Sequence, residues 1–433
     1  MTQSEKDELV QAFKDLEADY DHDDDPGTPD VINLVNDLAN YHDFNFDDIH
    51  FNLPTQPEKD VFFPWHRRQM FELEQAMQNI NSKISIPYWD WTLDNTYDIT
   101  PGKLWDPAFM GGFDALWNLD RIYNNGTLPT AGVISTTQAT SSDIYLYSNA
   151  VERGDVHVGG HAWTGGVMAS GNSPRDPIFY LHHGMVDKLW QDWVELHGYS
   201  SGDDLYIKNL LPRYDGVSQT SAGVTLPAVN PDNMIDSKTW GVFYAENQLA
   251  ELYNYTVNNT YRTQEEVFYY QYTIEAKDDF IIPSSKKAKF ESVNNIILKP
   301  GFHAQEGSGF IAKLDTDYDI TTFSKTSRKK TDKKSFYTNF RIVENVYTTG
   351  GLIQEVKTFI DPRRKDNLGL EFKDVCEPCE IEILNSQNDI EMNKTLNNAT
   401  NTDINLAGLM PGNYVLQISR NSNVIFNKEL IKL

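Results

Sequence analysis

Histidines carry the chemistry open to this chain, and their spacing gathers them. His157 and His161 stand four apart in His157-Val-Gly-Gly-His161. On a helix that spacing puts both rings on one face, close enough to share a metal ion. Further on, Asp176-Pro177 supplies a capping residue followed by the residue preset for a first helical turn. Phe179, His183, Val186, Trp190 and Trp193 then recur at helical spacing, which sets His183 in an apolar, aromatic face. Asp187, one turn beyond, can orient that region or balance its charge. Upstream, Phe62-Phe63-Pro64-Trp65-His66-Arg67 opens another amphipathic helix through Met70, Leu73, Met77 and Ile80, and Pro87-Tyr-Trp-Asp-Trp-Thr92 follows. A lone histidine on such a face is commonly a satisfied core residue. Several segments of this kind in one chain point instead to a metal.

In this order and spacing, FFPWHR, PYWDWT, the HxxxH and DPIFYLHHxxVDKLW resemble the tyrosinase, catechol oxidase and molluscan haemocyanin family. The resemblance implies a type 3 centre of two copper ions, three histidines to each, at the heart of a four-helix bundle. It places His157, His161 and His183 on the second copper and His66 on the first. A helix starting at Thr28-Pro29, with Ile32, Val35, Leu38 and Ala39 on one side, brings His42 inward as another ligand of the first copper. The family's usual place for the remaining ligand falls on Pro57. His50 takes the role instead, because Ile49-His50-Phe-Asn-Leu-Pro-Thr55 is similar to a turn in haemocyanin units, and 56–61 is then an insertion. His22 is the alternative. The family's cysteine–histidine thioether is excluded, since both cysteines lie far downstream.

Six imidazoles without a carboxylate suit copper better than magnesium, calcium or non-haem iron. The resemblance implies oxidation of o-diphenols to o-quinones by O2, with ortho-hydroxylation of monophenols as a further step that some members perform. Oxidation of o-aminophenols and oxygen carriage without turnover are other readings of the same ligands. In members proficient at hydroxylation, the residue after the first histidine of the second copper is often Asn, paired through a water with a Glu. Here that residue is Val158, with Glu152 as the candidate catalytic acid, so diphenol oxidation is favoured. Gly171 and Asn172 lie where a bulky residue would cover the copper, and their small size implies an accessible site. Arg67 and Asp187 can pair between two bundle helices, while His182 can bond backbone rather than metal.

At 433 residues the chain exceeds a comfortable single core, so several domains are expected. A net charge of −26 argues against nucleic acid or an anionic membrane as partner. No run is long and apolar enough for a membrane span. Cys376 and Cys379 form a small disulfide loop or remain thiols. The polar N-terminus carries no secretory signal and begins a helix with a capping box at Ser4–Asp7, which leaves a cytoplasmic protein or a trimmed secreted one. The acidic run Asp21–Asp25 reads as a solvated turn.

Four domains follow. Residues 1–257 form the α-helical, tyrosinase-like dicopper domain. Short β-branched runs then mark an all-β region. Residues 258–320 resemble a small stacked-β module of secreted bacterial proteins, with His303 in a turn. Residues 321–369 are a linker or β extension containing the basic stretch Lys325–Lys334. Residues 370–433 resemble the C-terminal sorting domains of type IX secretion, which implies export to the cell surface or beyond and the secretion machinery as a partner, alongside O2 and a small phenol.

Overall fold

A computed structural model describes residues 1–18, 33–50, 56–220, 225–258, 265–315, 340–343, 356–360, 367–376, 378–385, 387, 389–410, 412–420 and 423–432. The helix start at Thr28-Pro29, the acidic run at 21–25, His22 and Lys325–Lys334 lie outside them. The chain divides into two compact units, Met1–Ser327 and Arg328–Leu433.

The first unit begins with helices α1 (Gln3–Ala18), α2 (Leu34–Phe44), α3 (Phe46–Ile49), α4 (Phe62–Ile80), α5 (Phe113–Trp117), α6 (Ala131–Gln138), α7 (Ile144–Glu152), α8 (Asp155–Thr164) and α9 (Pro177–His197). Thr2 and Glu5, rather than Ser4 and Asp7, close the capping box of α1. The Thr2 hydroxyl accepts from the Glu5 backbone N–H at 3.2 Å, and the Thr2 N–H donates to the Glu5 carboxylate at 2.6 Å. The helix starts ahead of Ser4, so Glu5 occupies the third helical position, where it can reach back. Asn33 caps α2 by accepting from the Asn36 N–H.

Helix α9 is the axis of this region. Nearly all of Pro177–Val194 is buried, and its buried charges are paired, Asp187 with Arg67 and Lys188 with Asp192. Asp176 caps it, and Gly198 at φ +70 ends it, where a residue with a Cβ would be strained. Aromatic rings fix its neighbours: Trp190 stacks on Phe63 of α4 with centroids 5.0 Å apart, and Trp193 on Tyr147 of α7 at 4.6 Å. Asp176 also forms a two-point pair with Arg121, at 2.5 and 2.8 Å, and both side chains are 0% exposed. Removing one partner leaves an uncompensated buried charge. Arg121→Met is therefore expected to destabilise the helical region by about 3–5 kcal/mol, measured as an earlier first transition in denaturant unfolding.

Strands begin at Leu249, ahead of residue 257, and remain within the first unit. They are β1 (Leu249–Leu252), β2 (Tyr255–Thr256), β3 (Glu266–Tyr270), β4 (Thr273–Ala276), β5 (Phe280–Ile282), β6 (Lys287–Ser292), β7 (Asn295–Leu298), β8 (His303–Ala304) and β9 (Gly309–Leu314). Three parallel sheets result, ordered β1-β4-β7, β2-β5-β8 and β3-β6-β9. The chain thus winds as a three-sided solenoid, and Leu249, Thr273 and Asn295 hold equivalent places on successive coils. Val257, Phe268, Ile274, Phe280, Ile282 and Phe290 fill its interior. At one corner, a Cβ on Gly301 (φ +94) would lie 2.5 Å from the Asp278 backbone nitrogen, so only glycine fits. His303, expected in a turn, sits exposed in β8, since backbone pairing with Ile281 extends the ladder through it. The solenoid meets the helices through Lys83, which bridges Glu291 at 3.0 Å and Asp315 at 2.9 Å, and through Tyr253, which donates to Glu195 at 3.0 Å.

The second unit contains β10 (Phe340–Val343), β11 (Val356–Ile360), β12 (Asn367–Cys376), β13 (Cys379–Leu384), β14 (Ile390–Leu396), β15 (Ala399–Asn405), β16 (Gly412–Arg420) and β17 (Asn423–Lys432). They make two antiparallel sheets, β10-β17-β16-β13-β14 and β11-β12-β15. Leu368, Leu370 and Ile404 of one sheet share a core with Ile381, Ile383, Leu416 and Ile418 of the other, so the unit is a β-sandwich. Cys379 is buried in this core and disulfide-bonded.

Candidate metal centre

Four long helices bring histidines toward one another. His42 lies on α2, His66 on α4, His157 and His161 on α8, and His182 and His183 on α9, while His50 ends the short α3. They form two clusters, His42–His50–His66 and His157–His161–His182–His183, and within each the ligating atoms all lie within 4.8 Å of one another. In the first, His42 Nε2 is 2.9 Å from His50 Nε2 and 3.4 Å from His66 Nε2. In the second, the His161 and His183 Nε2 atoms are 3.4 Å apart. The clusters touch: His66 and His183 stack at 4.3 Å, and His50 and His157 at 5.6 Å.

Backbone carbonyls aim the rings. His42 Nδ1 meets Gly171 O at 2.5 Å, His66 Nδ1 meets Phe62 O at 2.8 Å, His157 Nδ1 meets Glu152 O at 2.8 Å, and His161 Nδ1 meets Met168 O at 2.6 Å. A ring that donates from Nδ1 is held in the tautomer whose Nε2 lone pair is free, which is the usual outer support of a metal-bound imidazole. Burial lowers the proton affinity of every ring in the two clusters, pushing His42 down to about 3 and His161 to about 4. Burial first, and then neighbouring imidazoles, hold His50 and His183 well below the ordinary value. Buried neutral imidazoles with Nε2 atoms turned inward, and a His157 Nε2 that has no hydrogen-bond partner, are a donor set that fits soft or borderline metal ions.

The remaining candidate residues fall around this centre. Arg67 donates from Nε to Asp187 at 2.7 Å, lies 3.9 Å over the Trp190 ring and reaches the carbonyls of Met234 and Ile235. Asp187 also accepts from the Tyr244 hydroxyl, so its charge is spent on Arg67 and Tyr244 rather than on His183. The His182 ring turns toward the backbone of His157, as expected of a histidine that bonds backbone, though burial still holds its proton affinity low. The ring is packed against Trp91 and over Gly160, where a Cβ would come within 2.4 Å of it. Gly160 is the counterpart that the pattern of residues concealed.

Gly171 also packs closely. A Cβ there would lie 2.0 Å from Asp43 Oδ1, and its carbonyl must reach His42. Asn172 donates to Asp43 at 3.3 Å, so this pair of residues fastens the loop to the end of α2. Val158 is 45% exposed on α8. The Glu152 side chain is buried, 3.3 Å from His50 Nδ1. Phe46, stacked on the His50 ring at 4.3 Å, drew no notice in the sequence, although its place one turn before His50 was a usable signal.

Known proteins resemble both ends of the chain. Residues 33–115 and 113–196 match the common central domain of tyrosinase, and residues 364–432 a secretion system C-terminal sorting domain. A tyrosinase of Streptomyces glaucescens is 34% identical over 175 residues, covering 31% of this chain and 63% of its own length. Grixazone synthase of Streptomyces griseus is 29% identical over 203 residues, covering 31% of this chain and 65% of its own. Units G and H of Sepia officinalis hemocyanin are 30% identical over 161 residues, covering 32% of this chain and 28% of that protein. This chain therefore spans less than two thirds of the tyrosinases it matches. A solved polyphenol oxidase of Thermothelomyces thermophila aligns over 55% of this chain and 84% of its own, at 16% identity and a TM-score of 0.40, too loosely to bear on the argument. No described helix is long and apolar enough to cross a membrane. The helical part of this chain, from residue 33 to residue 196, thus matches the tyrosinase central domain, and a match to a secretion sorting domain follows in the same chain.

Proposed function

We propose that this protein uses two copper ions and O2 to oxidise o-diphenols to o-quinones, two diphenols being consumed for each O2 reduced to two waters. His42, His50 and His66 would hold one ion, and His157, His161 and His183 the other, within a core of α2, α4, α8 and α9. The observation that carries the reading is the pair of facing clusters of buried, neutral imidazoles. His183 is preferred to His182 because its ring stacks on His66 of the opposite cluster, whereas His182 packs against Trp91 and Gly160. When bound, two adjacent coppers would relay electrons from diphenol to O2 two at a time, so that two diphenols supply the four needed for each O2. The protein's share is to hold the rings neutral and aimed, to keep bulk water off their metal-facing sides and to admit a flat phenol.

Val158 offers no polar group to hold a water, and the Glu152 carboxylate lies against His50. Both features favour diphenol oxidation over hydroxylation of monophenols. The sorting domain supports export, with the cell surface or medium as the working place.

The test is quinone formation by copper-loaded protein, with catechol, an o-aminophenol and a simple monophenol in parallel. Catechol is expected to react and the monophenol to lag at least tenfold behind. Equal turnover of both would overturn the argument from Val158. O2-dependent colour without turnover of any substrate would replace the oxidase reading with oxygen carriage.

A further inference from the structure

His50 stands apart from the other proposed ligands in how it is held. His42, His66, His157, His161 and His183 ride within helices of ten residues or more, whose backbones fix the direction of each side chain. His50 instead caps the four-residue α3, its N–H bonded to Phe46 O at 2.7 Å. A single turn of helix is marginal by itself. No covalent link can compensate, because the chain's two cysteines are at 376 and 379.

Three side chains close on the ring from different directions. The Phe46 ring lies on one face of His50, with centroids 4.3 Å apart and planes 19° from parallel. His157 covers the ring at 5.6 Å, also at 19°. Phe46 is 42% exposed, so it stands between His50 and solvent. The Glu152 carboxylate approaches Nδ1 to 3.3 Å, and among the proposed ligands His50 alone turns that nitrogen to a carboxylate in the described residues. A carboxyl oxygen this close to Nδ1 favours the tautomer that carries its proton there and leaves Nε2 free to face a metal. The same Glu152 accepts through its backbone carbonyl from His157 Nδ1 at 2.8 Å. One residue therefore steadies a ring in each cluster.

We propose that Phe46 and Glu152 act as a non-covalent tether for His50, and that retention of metal in the His42–His50–His66 cluster depends on them. They are positioning residues: neither is a ligand, and each acts through the His50 ring. The proposal rests on the reading of that cluster as a copper site, and its test separates the two.

Full-length protein loaded with copper is dialysed against a graded series of chelator concentrations. Metal per chain and the copper electron paramagnetic resonance signal are then measured. The parent is expected to retain two coppers and give little signal, because the two ions are coupled. Phe46→Ala and Phe46→Leu should lose one copper at roughly 10–100-fold lower chelator, and the copper left behind should give the signal of an isolated ion. Phe46→Trp, which restores a stacking ring, should retain both. Glu152→Ala should resemble Phe46→Ala, with Glu152→Gln between it and the parent. Adding His161→Ala to Phe46→Ala should remove the remaining copper, whereas adding His66→Ala should not.

Phe46→Leu keeps most of the buried volume, so it reports on the ring if Phe46→Ala fails to fold. Parental retention of two coppers by folded Phe46→Leu and Glu152→Ala would overturn the tether. Loss of the remaining copper on adding His66→Ala would place the tether's effect on the other cluster and overturn it equally. A parent that takes up no copper would overturn the metal site itself.

Discussion

His183→Ala is expected to hold one copper per chain where the parent holds two, and to oxidise catechol more than about a hundredfold more slowly. Groups that merely support a ligand commonly cost about 10–100-fold when removed, so loss of a ligand should cost at least as much. His183 also stacks on His66, and its removal opens the contact between the clusters. Because the two ions act as a unit, adding His161→Ala should slow turnover little further. His182→Gln is the contrast: packed on Trp91 and Gly160, it should keep both coppers. Metal analysis with initial rates checks the pair. Two coppers in His183→Ala, or loss of one in His182→Gln, would exchange the roles assigned to these neighbours.

Acid should unfold the metal-free protein early. Seven buried histidines, His42, His50, His66, His157, His161, His182 and His183, have proton affinities lowered on folding, chiefly by burial. The unfolded chain binds their protons below about pH 6.5, whereas the folded chain resists them to lower pH, His161 to about 4 and His42 to about 3. Stability is therefore fully present above pH 6.5 and declines as pH falls toward 4. Each such group contributes a slope of up to about 1.4 kcal/mol per pH unit. Asp60 works in the other direction: burial raises its carboxyl to about 7, so the folded form takes up a proton that the unfolded form does not until about pH 4. Burial also raises Asp192 to about 6 and lifts Asp232, but three acids against seven histidines leave the balance with the histidines. Denaturation midpoints of metal-free protein between pH 8 and 5 should fall steeply, and copper should restore them at pH 6. A flat profile would mean that these rings are not buried in the metal-free fold.

The parts that were legible in the sequence are those with local periodicity. His157 and His161 four apart, the apolar face around His183 and the Asp176 cap all depend on neighbours along one helix. Contacts between distant segments were not legible. Nothing near Gly160 announces that His182 must fit over it, and nothing near Gly171 announces Asp43, which lies far away in the chain and packs against it. The solenoid was visible as β structure, but strands as short as β2 and β8 show too few alternating positions to reveal that they stack in parallel coils. In the sorting domain, the end of the chain was readable through Tyr414 to Ile418. The strands before it were not, since β12 draws its meaning from pairing with β11 and β15.

The bond between Arg67 and Asp187 has one more consequence. His66 adjoins Arg67, and His183 lies one turn from Asp187, so the link that joins α4 to α9 also acts as a spacer between the clusters. The gap across the centre is then a dimension of the frame, set before any ion arrives. With an ion in each cluster, as proposed, such a gauge would favour a pair whose bond lengths suit it over one that demands longer ones.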